Sequence, residues 1–190
     1  VNSKRTLFLI EVAIFTALAL VLDLAPFLSF KVWAQGGSIS LAMIPVFIVA
    51  FRWGIKGGLL SGFLWGVLQI AVGQAWIMHW LQGAIDYLVA FTLLGFAGIF
   101  ASKIKNALKD GNTRAYFSYI LLGVILGSIL RFVAHFVAGI VFFESAIEGM
   151  NVWMYSFLYN ISYIAPSIII CTIAVYFLFH KQPRTLLSAA

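Results

Sequence analysis

The sequence predicts an all-α integral membrane bundle of six transmembrane helices, and three observations carry that prediction. Of the 190 residues, 63% are hydrophobic and 9% charged, a balance that a soluble domain could keep only by exposing large apolar patches. A helical span takes about 20 mainly apolar residues, so this length supplies about six spans and little else. The Lys and Arg residues fall between the apolar runs and make no continuous stripe, so the net charge of +6 reads as membrane topology and not as a nucleic-acid surface.

The expected spans are residues 6–28, 39–51, 54–73, 77–101, 115–142 and 152–180, forming one membrane-embedded domain over residues 1–190. The first follows Lys4 and Arg5 as a signal peptide would, but it is too long for an ordinary signal core and reads as a retained helix. The second is short and contains Pro45. Before it, Lys31 to Ser40 form a polar, glycine-containing loop that reads as a lid folded partly into the membrane. In the third, Gly58, Gly62 and Gly66 recur every four residues and make a smooth face for close backbone packing, within the chain in preference to a partner. Gly123 and Gly127 repeat that spacing in the fifth. Ten cations (Lys4, Arg5, Arg52, Lys56, Lys103, Lys105, Lys109, Arg114, Lys181 and Arg184) lie on one side of the membrane, whereas the opposite loops hold Lys31 with Glu144 and Glu148. Cationic loops stay cytoplasmic, so both termini are expected in the cytoplasm of a multi-pass cell-membrane protein. No internal repeat of the kind found in many secondary transporters is visible.

Asp86 is the most informative residue, because it lies roughly 13 Å from the outer end of the fourth span. A carboxylate at such depth pairs with a cation or lines a cavity, which leaves a ligand or ion site and a structural pair with Arg131 as its two readings. Arg131, His135 and Gly139 follow one another at helical spacing in the fifth span, and Tyr155, Ser156, Tyr159 and Asn160 group on one side of the sixth. Trp65 lies near the middle of the third span with Gln69 one turn on, Trp76 sits beside Gln74 in an outer turn, and Tyr87 follows Asp86 directly. Trp53, Trp80 and Trp153 fit the interfacial belt. Aromatic faces with one carboxylate suit a flat cationic ligand, although ordinary packing explains each aromatic singly.

Covalent chemistry has no sequence support. Cys171 is the single cysteine and sits in an apolar stretch, so neither a disulfide nor a zinc cluster is expected, and no metal or cofactor is implied. Phosphate-cradling, zinc-protease and nucleophile-elbow motifs are missing, so any ATP-driven step belongs to another chain.

Specific combinations carry a family resemblance: Glu11 to Leu20, Gly36 to Pro45, Phe51 to Gly58, Trp65 to Tyr87, Arg131 to Phe143 and Tyr155 to Asn160. Over nearly its whole length the chain resembles the thiamine-specific substrate-binding subunits, or S components, of energy-coupling-factor (ECF) transporters. The resemblance implies that Asp86 holds the acidic pocket position, often Glu, and binds the aminopyrimidine or balances the thiazolium charge. It implies that Tyr87, Trp65 and Trp76 shape the pocket, that His135 and Asn160 hydrogen-bond the ligand, that Gly139 permits close approach and that Tyr155 lines the ring site. Phe143 stands where a family member can have a stacking Trp, Trp76 where Tyr can occur, and Trp33 near the lid-loop Trp. Ala13 and Ala17 resemble the small-residue face that docks on a transmembrane coupling protein, which works with two cytoplasmic ATPases. The implied function is capture of extracellular thiamine and its delivery inward by that module. An ion-coupled carrier for a small cationic aromatic solute, with Asp86 and His135 as proton sites, is the alternative. An intramembrane enzyme using His79 or His135 is disfavoured, because no nucleophile, base and orienter stand at recognisable spacing. Arg131 is open to two roles, an ion pair or a phosphate contact, and thiamine is not separated from its phosphates.

Overall fold

The computed structural model describes residues 3–33 and 36–187. Five helices are long and apolar enough to cross a bilayer: α1 (Ser3–Leu24), α2 (Met43–Ala71), α3 (Trp80–Lys109), α4 (Thr113–Phe142) and α5 (Val152–Lys181). A short α6 (Pro183–Leu187) follows. The expected lid loop is an antiparallel hairpin of β1 (Ser29–Trp33) and β2 (Gly36–Ser40), with Phe30 opposite Ile39. Ala34 and Gln35 lie outside the described residues.

Two helical arms make up α2. Gly54 has φ 76° and ψ −166°, a conformation open to glycine at little steric cost, and the chain folds back there. A Cβ placed on Gly58 would come within 2.7 Å of the Ala50 Cβ, so the arms pack side by side. Six helical segments result, with the break inside the boundary that the sequence predicted. Side-chain pairs fix their directions: Thr16 with Ser61 and Asp23 with Gln69 run α1 parallel to the second arm, which makes the first arm the return strand of the path.

Every residue from Met43 to Phe51 is apolar and buried, as suits a segment at the centre of the bundle. Residues 43–53 span only about 16 Å, roughly half the hydrocarbon thickness. Beyond the arm the middle of the bundle is left to the cavity described below, to which the second arm contributes Gln69 and the first arm contributes nothing.

The glycine face predicted for residues 58–66 packs inside the chain. A Cβ on Gly62 would lie 2.1 Å from the Phe91 carbonyl oxygen, and one on Gly66 would lie 2.2 Å from that of Tyr87. Only glycine allows α3 to approach this closely. Along α3 the winding changes, with a π-turn at Ala84–Val89 and a 3₁₀ stretch at Leu94–Phe100.

Two residues differ in setting from their sequence reading. Arg52, counted among the loop cations, is 5% exposed, and its Nη2 donates to Glu11 Oε1 at 2.6 Å while its Nε donates to Oε2. Trp53, assigned to the interfacial belt, spends its indole N–H on Glu11 at 2.6 Å and packs edge-on to Phe8. The bend at Gly54 draws both inward, where the α1 carboxylate replaces their lost water. Breaking a buried pair of this kind typically costs about 3 kcal/mol or more.

Candidate functional site

A cavity of about 480 Å³ opens beneath the hairpin and is walled by α1, the second arm of α2, α3, α4 and α5. Its size falls within the range of small-molecule sites. At its side lies a hydrogen-bonded relay. Gln82 Nε2 donates to Asp86 Oδ2 at 2.7 Å, and Asp86 Oδ1 meets His135 Nδ1 at 2.8 Å. Arg131 Nε donates to His135 Nε2 at 3.1 Å. Because Nε2 accepts from the guanidinium, a singly protonated ring carries its proton on Nδ1, facing the carboxylate. His135 thus stands between Asp86 and Arg131, and the direct pair considered from the sequence is replaced by a bridge.

Local structure explains the placement. Asp86 sits in the π-turn of α3, whose wider winding shifts the side chain relative to a regular helix; such turns are frequent at functional sites. Gln82 is 1% exposed and also binds the preceding loop, donating to the Trp76 carbonyl at 3.1 Å and accepting from Met78 N at 3.1 Å. Tyr87 Oη accepts from Trp76 N at 2.7 Å, so both outer-turn and α3 aromatics are held in place.

On α5, Tyr163 Oη donates to Asn160 Oδ1 at 2.6 Å, while Asn160 Nδ2 donates to the Ser156 carbonyl at 2.9 Å. Gly139 does make room, but for Ser156: a Cβ there would come within 2.1 Å of the Ser156 Oγ, which donates to the Phe136 carbonyl. Trp33 ties the hairpin to α5: its Nε1 donates to Ser162 Oγ at 2.9 Å and its ring lies 5.5 Å from that of Tyr159.

Of the residues singled out from the sequence, Trp76, Asp86, Tyr87, Arg131, His135, Gly139, Phe143, Tyr155 and Asn160 come together on the cavity wall. Trp65 does not line it. Its ring stacks on Phe91 at 4.2 Å, so Phe91 stands between it and the space, and the Arg131 guanidinium lies 5.4 Å from its centroid. Trp33 is likewise outside the lining, its ring laid along α5. His79 caps the start of α3 by accepting from Leu81 N at 3.2 Å and stacks on Phe142. Ala13 and Ala17 are exposed on the outer face of α1, between the exposed Ile10, Ile14 and Leu18.

Sequence reasoning missed Asp23, Gln82, Phe91 and Tyr163 as wall residues. A carboxylate three residues before Pro26 resembles an ordinary helix end. Gln82 precedes Asp86 by one helical turn, and that spacing was the available signal. Phe91 and Tyr163 carry none, since an aromatic in an apolar span is unremarkable.

A helical membrane bundle with an ion-lined and aromatic cavity among its helices defines a multi-pass membrane protein built to hold a small solute. Residues 9–187 match the thiamine transporter protein family, and the chain belongs to that family. It is a transporter and not an enzyme. The thiamine transporter ThiT of Bacillus subtilis (strain 168) is 44% identical over 190 residues, covering 98% of this chain and 97% of that protein. ThiT of Lacticaseibacillus paracasei is 28% identical over 161 residues, covering 83% and 79% respectively. The solved structure of ThiT from Listeria monocytogenes superimposes with a TM-score of 0.89 at 29% identity, covering 96% of this chain and 98% of that one.

Proposed function

We propose that this chain is the thiamine-binding S component of an ECF-type importer in the cell membrane, with both termini cytoplasmic. The observation that carries the reading is the composition of the cavity wall. Asp23, Asp86 and Glu144 outnumber Lys31 and Arg131 by one formal charge, and aromatic rings from α3 and α5 line the space. A flat monocation would be neutralised by that excess and held by ring faces. Asp86 takes its two visible bonds from a neutral amide and a ring N–H, so its charge is free to answer a cation. Family membership supplies the identity of the cation as thiamine. No covalent cofactor enters this scheme.

In this mechanism thiamine enters from outside, the hairpin closes over it through Trp33 and Ser162, and the loaded subunit meets a transmembrane coupling protein through Ala13 and Ala17. Two cytoplasmic ATPases then drive release inward. Small side chains on an exposed helix face favour such close helix contact. The test is mass spectrometry of the small molecule retained through purification, followed by titration calorimetry with thiamine. Thiamine is expected in the purified protein and on titration of the emptied protein; no retained thiamine together with no binding heat would overturn the reading.

A further inference from the structure

Asp23 is an acidic group of the cavity wall to which the mechanism above gives no separate role. It stands in the last turn of α1, where Gln69 Nε2 from the second arm of α2 donates to its Oδ2. Gln69 is only 4% exposed, so that amide is a fixed donor. Both residues share the wall with Arg131. Arg131 uses Nε on His135, and its guanidinium lies 4.6 Å from the Phe91 ring centroid. Among the described residues its terminal N–H groups make no hydrogen bond, and no carboxylate lies within 4.0 Å of it. It is a planar donor fork open to the cavity, the geometry that recognises phosphate.

We propose that Asp23 determines whether the site prefers an organic cation or the phosphate ester of the same cation, by countering the Arg131 fork. Resting on the thiamine reading, the argument is one of charge. A bare monocation balances the excess acid of the wall. Its phosphate ester adds about −1.5 to −2 charge near pH 7, which the Arg131 fork attracts and the Asp23 carboxylate repels. With Asp23 in place the attraction is offset; with a neutral residue there, the fork acts alone. Asp23→Asn is the informative substitution because an amide oxygen still accepts from Gln69 Nε2 and only the charge is lost.

The experiment measures dissociation constants for thiamine and thiamine monophosphate by titration calorimetry on the full-length protein in detergent. In D23N the ratio of the monophosphate constant to the thiamine constant is expected to fall by about tenfold, as removal of one charge across a partly buried wall implies. Adding Arg131→Gln to D23N should abolish the fall. An unchanged ratio in D23N, or a fall that persists without Arg131, overturns the proposal, because loss of packing alone weakens both ligands together. If D23N does not fold, Asp23→Ser is read by the same ratio. Wild-type protein that binds neither compound would instead reject the thiamine reading, and this inference with it, whereas wild-type binding with an unchanged ratio rejects this inference alone.

Discussion

Asp86 and His135 face each other from α3 and α4 at 2.8 Å, and the imidazole passes the contact on to Arg131. The carboxylate is therefore positioned by an imidazole that also holds it apart from the nearest guanidinium. A directly paired acid would meet an incoming cation already neutralised. This one keeps its charge for the ligand while remaining oriented by Gln82 and His135.

Asp86→Asn should weaken thiamine binding by about 2 kcal/mol or more, close to 30-fold, since a charged hydrogen-bond partner is lost in a partly buried setting. Titration calorimetry gives the affinity, and a melting curve without ligand checks that the fold is intact. Affinity equal to the wild type would remove Asp86 from the site.

Gly62→Ala should destabilise the bundle by about 2 kcal/mol, because its new methyl group would lie 2.1 Å from the Phe91 carbonyl and must push α3 away from α2. Thermal unfolding in detergent reads this directly. A melting temperature within error of the wild type would contradict the close approach.

Ser162→Ala removes the acceptor that holds the Trp33 indole N–H at 2.9 Å. The loss of about 1 kcal/mol should speed thiamine release roughly fivefold, with the association rate little changed. Stopped-flow fluorescence separates the two rates. An unaltered release rate would show that this bond does not hold the hairpin shut.

Ala17→Leu enlarges an exposed position on α1 that touches nothing in the cavity. Thiamine affinity should be unchanged, while uptake in cells that supply the coupling module should fall sharply, because a bulky side chain blocks close helix contact. Full uptake would rule out docking through this face.

Much of the architecture was legible in the chain. Apolar run lengths marked the six helical segments, the four-residue spacing of Gly58, Gly62 and Gly66 announced a close helix contact, and the break near residue 54 was visible between two apolar runs. Asp86, His135 and Asn160 stood out because polar side chains in an apolar span demand partners. What spacing could not reveal was the order of those partners. Asp86 meets His135 from within the π-turn at Ala84–Val89, and a π-turn has no compositional signature. The same limit applies to Trp65, whose position near the middle of its span was read correctly as deep but whose ring is separated from the cavity by Phe91.

The sequence by itself determined that lipid is the solvent and which polar groups must be sheltered, because both follow from the cost of placing a side chain or a backbone in hydrocarbon. The tertiary structure alone decided that Asp23 joins the chamber, that Arg52 is buried against Glu11 and that Ser156 occupies the room left by Gly139. Those outcomes depend on contacts between helices far apart in the chain, where a shift of one ångström or a slight change of winding selects which neighbour a side chain meets.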